Sequence, residues 1–237
     1  MFWPRETWRD GPTGILRFVR PLVTVLRFAG AAAIVAAIVA QLVRSIRNTV
    51  DAGGEVGVML VNFFSFFTIE SNVLAVISLV IGAVVVAAGR SETAAFTVFR
   101  LVAVTYMTVT LIVYNLLLRG IELPQGQTVP WSNEILHVVG PLLIIADWLF
   151  APGRHRLEWN RVWAVVVFPI VWAAYTLIRG PIVGWYPYPF LNPGNSENGY
   201  LSVAFYVILI AAVMVGVGAA AIWVTRRRAR WPLPAVE

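Results

Sequence analysis

The chain reads as an all-α integral membrane protein: six transmembrane helices in one bundle, with N and C termini cytoplasmic. Three observations predict this. Hydrophobic residues fill 59% of the 237 positions, charged residues only 13%, and the mean hydropathy is +0.77; ordinary soluble domains carry about a quarter charged residues. Six apolar runs are long enough to cross a hydrocarbon core of roughly 30 Å. Arginine is also spread unevenly over the segments that join them.

Residues 1–21 are polar, aromatic and arginine-rich, and predict a cytoplasmic N-terminal segment. The apolar run that follows is longer than a signal-peptide core of about 7–15 residues, so 22–44 reads as a retained first span. Arg27 lies in its first turns, where it could snorkel toward the headgroups. Gly53 and Gly54 mark a short loop. The second span, 57–88, has 32 residues. A straight helix of that length would run about 48 Å, against about 30 Å of hydrocarbon. The span is therefore tilted, bent or partly outside the bilayer. Its polar knot, Thr68, Glu70, Ser71 and Asn72, is the natural place for a bend.

The third span covers 94–118, with Arg100 toward one end and Tyr114 and Asn115 toward the other. A loop with two prolines leads to the fourth, 133–150, which Pro141 interrupts by removing a backbone donor. The fifth is 161–178. A segment rich in proline and aromatic residues, 179–199, follows and reads as a cap at headgroup level. The sixth span is 200–224, and 225–237 form a basic cytoplasmic tail.

All eighteen basic residues are arginine, a bias that suggests a GC-rich bacterial genome. With both ends inside, twelve arginines (5, 9, 17, 20, 90, 154, 156, 161, 226, 227, 228 and 230) fall on the cytoplasmic side. Four (44, 47, 119 and 179) fall outside, which is the positive-inside pattern of a multi-pass cell-membrane protein. The same rule accounts for the net charge of +6 without a nucleic-acid partner. The absence of cysteine excludes disulfides, thiolate metal sites and a cysteine nucleophile. Two histidines, His137 and His155, are too few for a multi-histidine metal or haem site, so neither metal nor cofactor is expected. There is no GxSxG elbow, HExxH, Walker loop or GxGxxG. Composition does not set the oligomeric state.

Polar groups at membrane depth mark either a working site or a specific packing contact. On a continuous helix Ser65, Thr68 and Asn72 would share one face, with Glu70 about 200° away from Thr68. His137 sits roughly one turn inside the fourth span, at a depth that Thr68 could match. A threonine hydroxyl attacks only when a base takes its proton, and an imidazole titrates in the required range. Glu134, at i−3, is the local group to orient the ring. Asn72, Tyr114, Asn115 or amides freed by a bend near Thr68 are the expected oxyanion donors. Asp147, about 15 Å along the helix from His137, is too far to orient it and reads as a buried partner for arginine or tyrosine. Ser, Thr and Asn also glue membrane helices together with no chemistry implied.

FFTIESN at 66–72, the H-x3-P-x5-D-W run at 137–148 and YPFLNP at 188–193 occur in this order within the six-span layout. Together they resemble the androgen-induced-protein family of six-helix membrane proteins, and the resemblance spans most of the chain. It implies a hydrolase of fatty acid esters of hydroxy fatty acids whose lipid substrate arrives from the bilayer, and a bacterial relative of the animal enzymes. It implies Thr68 as the catalytic threonine and His137 as its histidine, followed by Pro141 and by the acidic Asp147. Tyr188, Pro189 and Phe190 would lie over the site. A proton-coupled transporter using Glu70, His137 and Asp147, or a protein whose polar groups only lock its helices, remains open on the residues alone.

Overall fold

The computed structural model describes residues 11–121 and 128–228, with backbone alone for 11–18 and 228. The expectations for residues 1–10, 122–127 and 229–237 lie outside the described residues. Among those described, every regular element is helical. These are α1 (Gly11–Asp51), α2 (Val56–Phe64), α3 (Phe67–Ala87), α4 (Ala94–Val113), α5 (Pro130–Glu134), α6 (Gly140–Phe150), α7 (Ala164–Val183) and α8 (Tyr200–Arg228). Six stretches are long and apolar enough to cross a membrane: Val19–Asp51, Phe67–Ala87, Ala94–Leu118, Pro130–Phe150, Trp159–Val183 and Tyr200–Arg227. Helix α4 is the hub, packed against α3, α6, α7 and α8, while α1 lies along α3. Its Leu101, Tyr106 and Met107 are fully buried.

Several boundaries differ from expectation. The first helix starts at Gly11 and continues to Asp51, so 11–21 is helix rather than a separate segment, and Arg44 and Arg47 are helical. The fifth span reaches Val183 rather than 178, and α8 runs on through Arg228. One further difference is the largest. The second run is two helices, with only Phe67–Ala87 long enough to span.

The break falls at Ser65 and Phe66, where Phe66 adopts an extended backbone (φ −72°, ψ 124°). Backbone left unpaired at membrane depth is costly unless the protein itself satisfies it. Here Trp172 Nε1 on α7 donates to the Ser65 carbonyl at 3.0 Å, and Ser65 Oγ donates back to Val61 O at 2.7 Å. Phe66 is gripped edge-on by Trp185 and Tyr188, and Phe67 edge-on by Trp172 and at a tilt by Tyr106. Because of the break, Ser65 no longer shares a helical face with Thr68 and Asn72.

Two spans contain a single π-helical turn: Tyr114–Leu118 after α4, and Ile135–Val139 between α5 and α6. Such turns insert one extra residue and frequently occur at functional sites. In the second, Gly140 N–H donates to Ile135 O, an i+5 pair. The next pair in that register would join residue 141 to Leu136 O, but Pro141 has no N–H. The orphaned Leu136 carbonyl instead accepts from Asn72 Nδ2 at 3.0 Å. A Cβ on Gly140 would lie 2.8 Å from Ile135 O, so only glycine fits this turn.

The end of the bundle where α1 and α4 begin and α6 ends holds a ring of four charges. Arg27 Nε donates to Asp147 Oδ1 at 2.7 Å and Nη2 to Oδ2 at 3.2 Å, with Glu92 Oε1 3.7 Å from Nη2. Arg100 pairs with both Asp147 and Glu92. Arg27 Nη1 donates to Gly82 O at 2.7 Å, and a Cβ on Gly82 would collide with the guanidinium. Arg27 is 1% exposed, so it does not snorkel: its carboxylate partners are inside the bundle.

Candidate active site

The site is assembled from the start of α3, the two π turns and the 184–199 segment. Thr68 is the second residue of α3, where backbone N–H groups have no partner within the helix. The Phe66 break aims its side chain into the bundle, and it is 5% exposed. Thr68 Oγ1 lies 3.4 Å from His137 Nε2. His137 Nδ1 is 2.9 Å from the Asn133 main-chain oxygen.

That second contact assigns the tautomer. A carbonyl oxygen can only accept, so Nδ1 carries the proton and Nε2 is the free lone pair facing Thr68. The Thr68 hydroxyl therefore donates to His137. Tyr114 stacks on the imidazole at 4.1 Å between centroids and 24° between planes, and Asn133 Nδ2 donates to the Tyr114 hydroxyl. Asn133 thus holds the histidine through its carbonyl and the stacking ring through its amide.

Tyr188 supplies the other wall. Thr68 N–H donates to Tyr188 Oη at 3.1 Å, and Oη is 3.2 Å from Thr68 Oγ1. With the threonine proton directed at His137, the tyrosine hydrogen points at Thr68 Oγ1. Burial pushes the Tyr188 phenol up to about 12, so it is a neutral donor. Phe190 stacks parallel on its ring at 5.3 Å.

Thr68, His137 and Tyr188 sit at one end of a cavity of about 110 Å³. The rest of the lining is almost wholly apolar, including Val109, Val113, Val166, Ile170 and Met214. Ile170 is also 64% exposed, so the cavity reaches the outward face of α7.

Several expected site residues stand elsewhere. Glu134 does not orient His137: it pairs with Arg119 on the surface at 2.9 Å, and the Asn133 carbonyl takes the role. Asn72 is no oxyanion donor, since its amide is committed to Thr68 O and Leu136 O. Asn115 donates to Leu111 O and accepts from Arg119, outside the cavity lining. Tyr114 is a stacking partner for the histidine, and its hydroxyl is bound to Asn133. Ser65 bonds to Val61 O and the Tyr175 hydroxyl. Glu70 Oε2 is buried without a hydrogen-bond partner among the described residues, and Glu70 is absent from the cavity wall. Asp147 belongs to the charge ring.

The fold defines a multi-pass, all-helical membrane protein of six spans. Comparison with protein-family models, with curated proteins and with solved structures returns no match.

Proposed function

We propose that the protein is an intramembrane hydrolase of lipidic esters, of the kind in which a fatty acid is esterified to a hydroxy fatty acid, with Thr68 as nucleophile and His137 as base. The observation that carries this reading is a threonine hydroxyl donating to an imidazole whose other nitrogen is pinned, both lining an apolar cavity. Thr68 Oγ1 attacks the ester carbonyl while His137 Nε2 takes its proton; the imidazolium then protonates the departing alkoxide, leaving an acyl-threonine. Water activated by the same histidine releases the acid. The apolar lining and the exposed Ile170 suit an acyl chain that enters sideways from the bilayer. The resemblance of FFTIESN, the 137–148 run and YPFLNP to the androgen-induced-protein family supports the same chemistry. Under this reading the termini are cytoplasmic and the site lies toward the outer face of a bacterial cell membrane.

A proton relay through Glu70, His137 and Asp147 has less support. No hydrogen bond among the described residues joins any two of them, and Asp147 is held by two arginines. The experiment is turnover of long-chain fatty acid esters by purified protein in lipid nanodiscs. Hydrolysis that disappears in Thr68→Ala and His137→Ala is expected. An inert wild type, or a Thr68→Ala variant as active as wild type, would refute the proposal.

A further inference from the structure

The acyl-transfer scheme leaves one group beside Thr68 without a task, the Tyr188 hydroxyl. We infer that Tyr188 is the oxyanion donor of this site: its O–H turns from Thr68 Oγ1 to the substrate carbonyl oxygen as that oxygen gains negative charge. The inference rests on the threonine-hydrolase reading.

Three features carry it. First, the oxygen is fixed. Tyr188 is 6% exposed, with Phe190 at 5.3 Å, Phe66 at 5.8 Å and Trp172 at 6.0 Å between ring centroids. Its Oη accepts the Thr68 N–H, which leaves its own hydrogen as the one able to move. A donor held in place before reaction needs no reorganisation during it, which is what makes such groups effective. Second, the reach is right. After attack the carbonyl oxygen is two bonds from Thr68 Oγ1, and Tyr188 Oη is already 3.2 Å from that atom. Third, Tyr188 is the donor beside Thr68. The Thr68 amide is bonded to Tyr188 itself, the Asn72 amide goes to Thr68 O and Leu136 O, Asn115 lies outside the cavity lining, and Tyr114 makes no hydrogen bond to Thr68 among the described residues.

The step balances. Thr68 Oγ1 bonds to the carbonyl carbon and its proton passes to His137 Nε2. The carbonyl π pair moves onto oxygen, which accepts from Tyr188 O–H. On collapse that pair re-forms C=O, the bond to the alcohol oxygen breaks, and the departing oxygen takes the proton from His137. Tyr188 keeps its own proton throughout.

The test compares wild type, Thr68→Ala and Tyr188→Phe in nanodiscs, using a long-chain p-nitrophenyl ester and a fluorophosphonate. p-Nitrophenolate leaves without needing a proton, so any loss with this ester cannot come from leaving-group protonation. Tyr188→Phe should lower kcat and the fluorophosphonate labelling rate by about 10²–10³-fold with KM unchanged, the scale of a lost oxyanion donor. O-Methyltyrosine at 188 keeps the oxygen that accepts from Thr68 N–H and puts a methyl group in place of the hydrogen. It should reproduce the loss, and it decides the matter if the phenylalanine variant does not fold. Wild-type kcat in either folded variant, or a rise in KM alone, overturns the inference and leaves the threonine reading standing. A wild type that neither turns over the ester nor labels overturns both.

Discussion

The charge ring at one end of the bundle and the hydroxyl–imidazole cluster at the other meet the same problem, polar groups in an apolar setting, in opposite ways. Arg27, Glu92, Arg100 and Asp147 carry full charges, two of each sign, and every one is paired within the ring. None of them lines the cavity. Thr68, His137 and Tyr188 form a chain of single hydrogen bonds with a neutral tautomer, and all three touch open volume. A closed set of ion pairs has no capacity left for a ligand. An open hydrogen-bonded chain keeps one lone pair and one hydrogen that a substrate can redirect. Expense alone therefore does not tell the two regions apart; the adjoining space does.

Substitutions should separate the two regions. The largest effect is on chemistry: Thr68→Ala should cut ester turnover by about 10⁴-fold or more, the scale on which losing a nucleophile acts, while thermal unfolding shifts little. Asp147→Ala should do the reverse. It leaves two buried guanidinium groups facing one carboxylate and should cost about 3–5 kcal/mol by thermal or denaturant unfolding; an unchanged midpoint would show that the ring contributes nothing. Asn72→Ala sits between the regions. It re-exposes the Leu136 carbonyl that Pro141 leaves unpaired and should cost about 1–3 kcal/mol. Through the loosened π turn it should also lower kcat more than it raises KM. The smallest effect is at Glu134, whose partner Arg119 is about half exposed. Glu134→Ala should change stability by less than about 1 kcal/mol and leave turnover unaltered. A deep loss there would restore it as the group that orients His137.

The six spans were legible because hydrocarbon thickness sets a minimum apolar length that composition cannot disguise. The excess length of the second run announced a bend, but not its position, which depends on Trp172 reaching Ser65 O from a helix more than a hundred residues away. Thr68 and His137 stood out as polar letters in apolar text. Their supporting groups did not. A main-chain carbonyl such as Asn133 O has no letter of its own, and the i−3 spacing that points to Glu134 takes for granted an unbroken α-helix where a π turn intervenes. Tyr188 was reached only through resemblance, since its contact with Thr68 spans 120 positions. The snorkelling expected of Arg27 fails because one arginine near a helix end says nothing about the carboxylates that await it from other helices.

If Thr68 is the nucleophile, its oxygen forms a covalent bond with an acyl or phosphonyl group. Mass mapping of the protein after reaction with a fluorophosphonate locates that bond. A single adduct on Thr68 is expected, abolished by Thr68→Ala and strongly slowed by His137→Ala. An adduct on any other residue, or none on a folded and lipid-embedded protein, would contradict it.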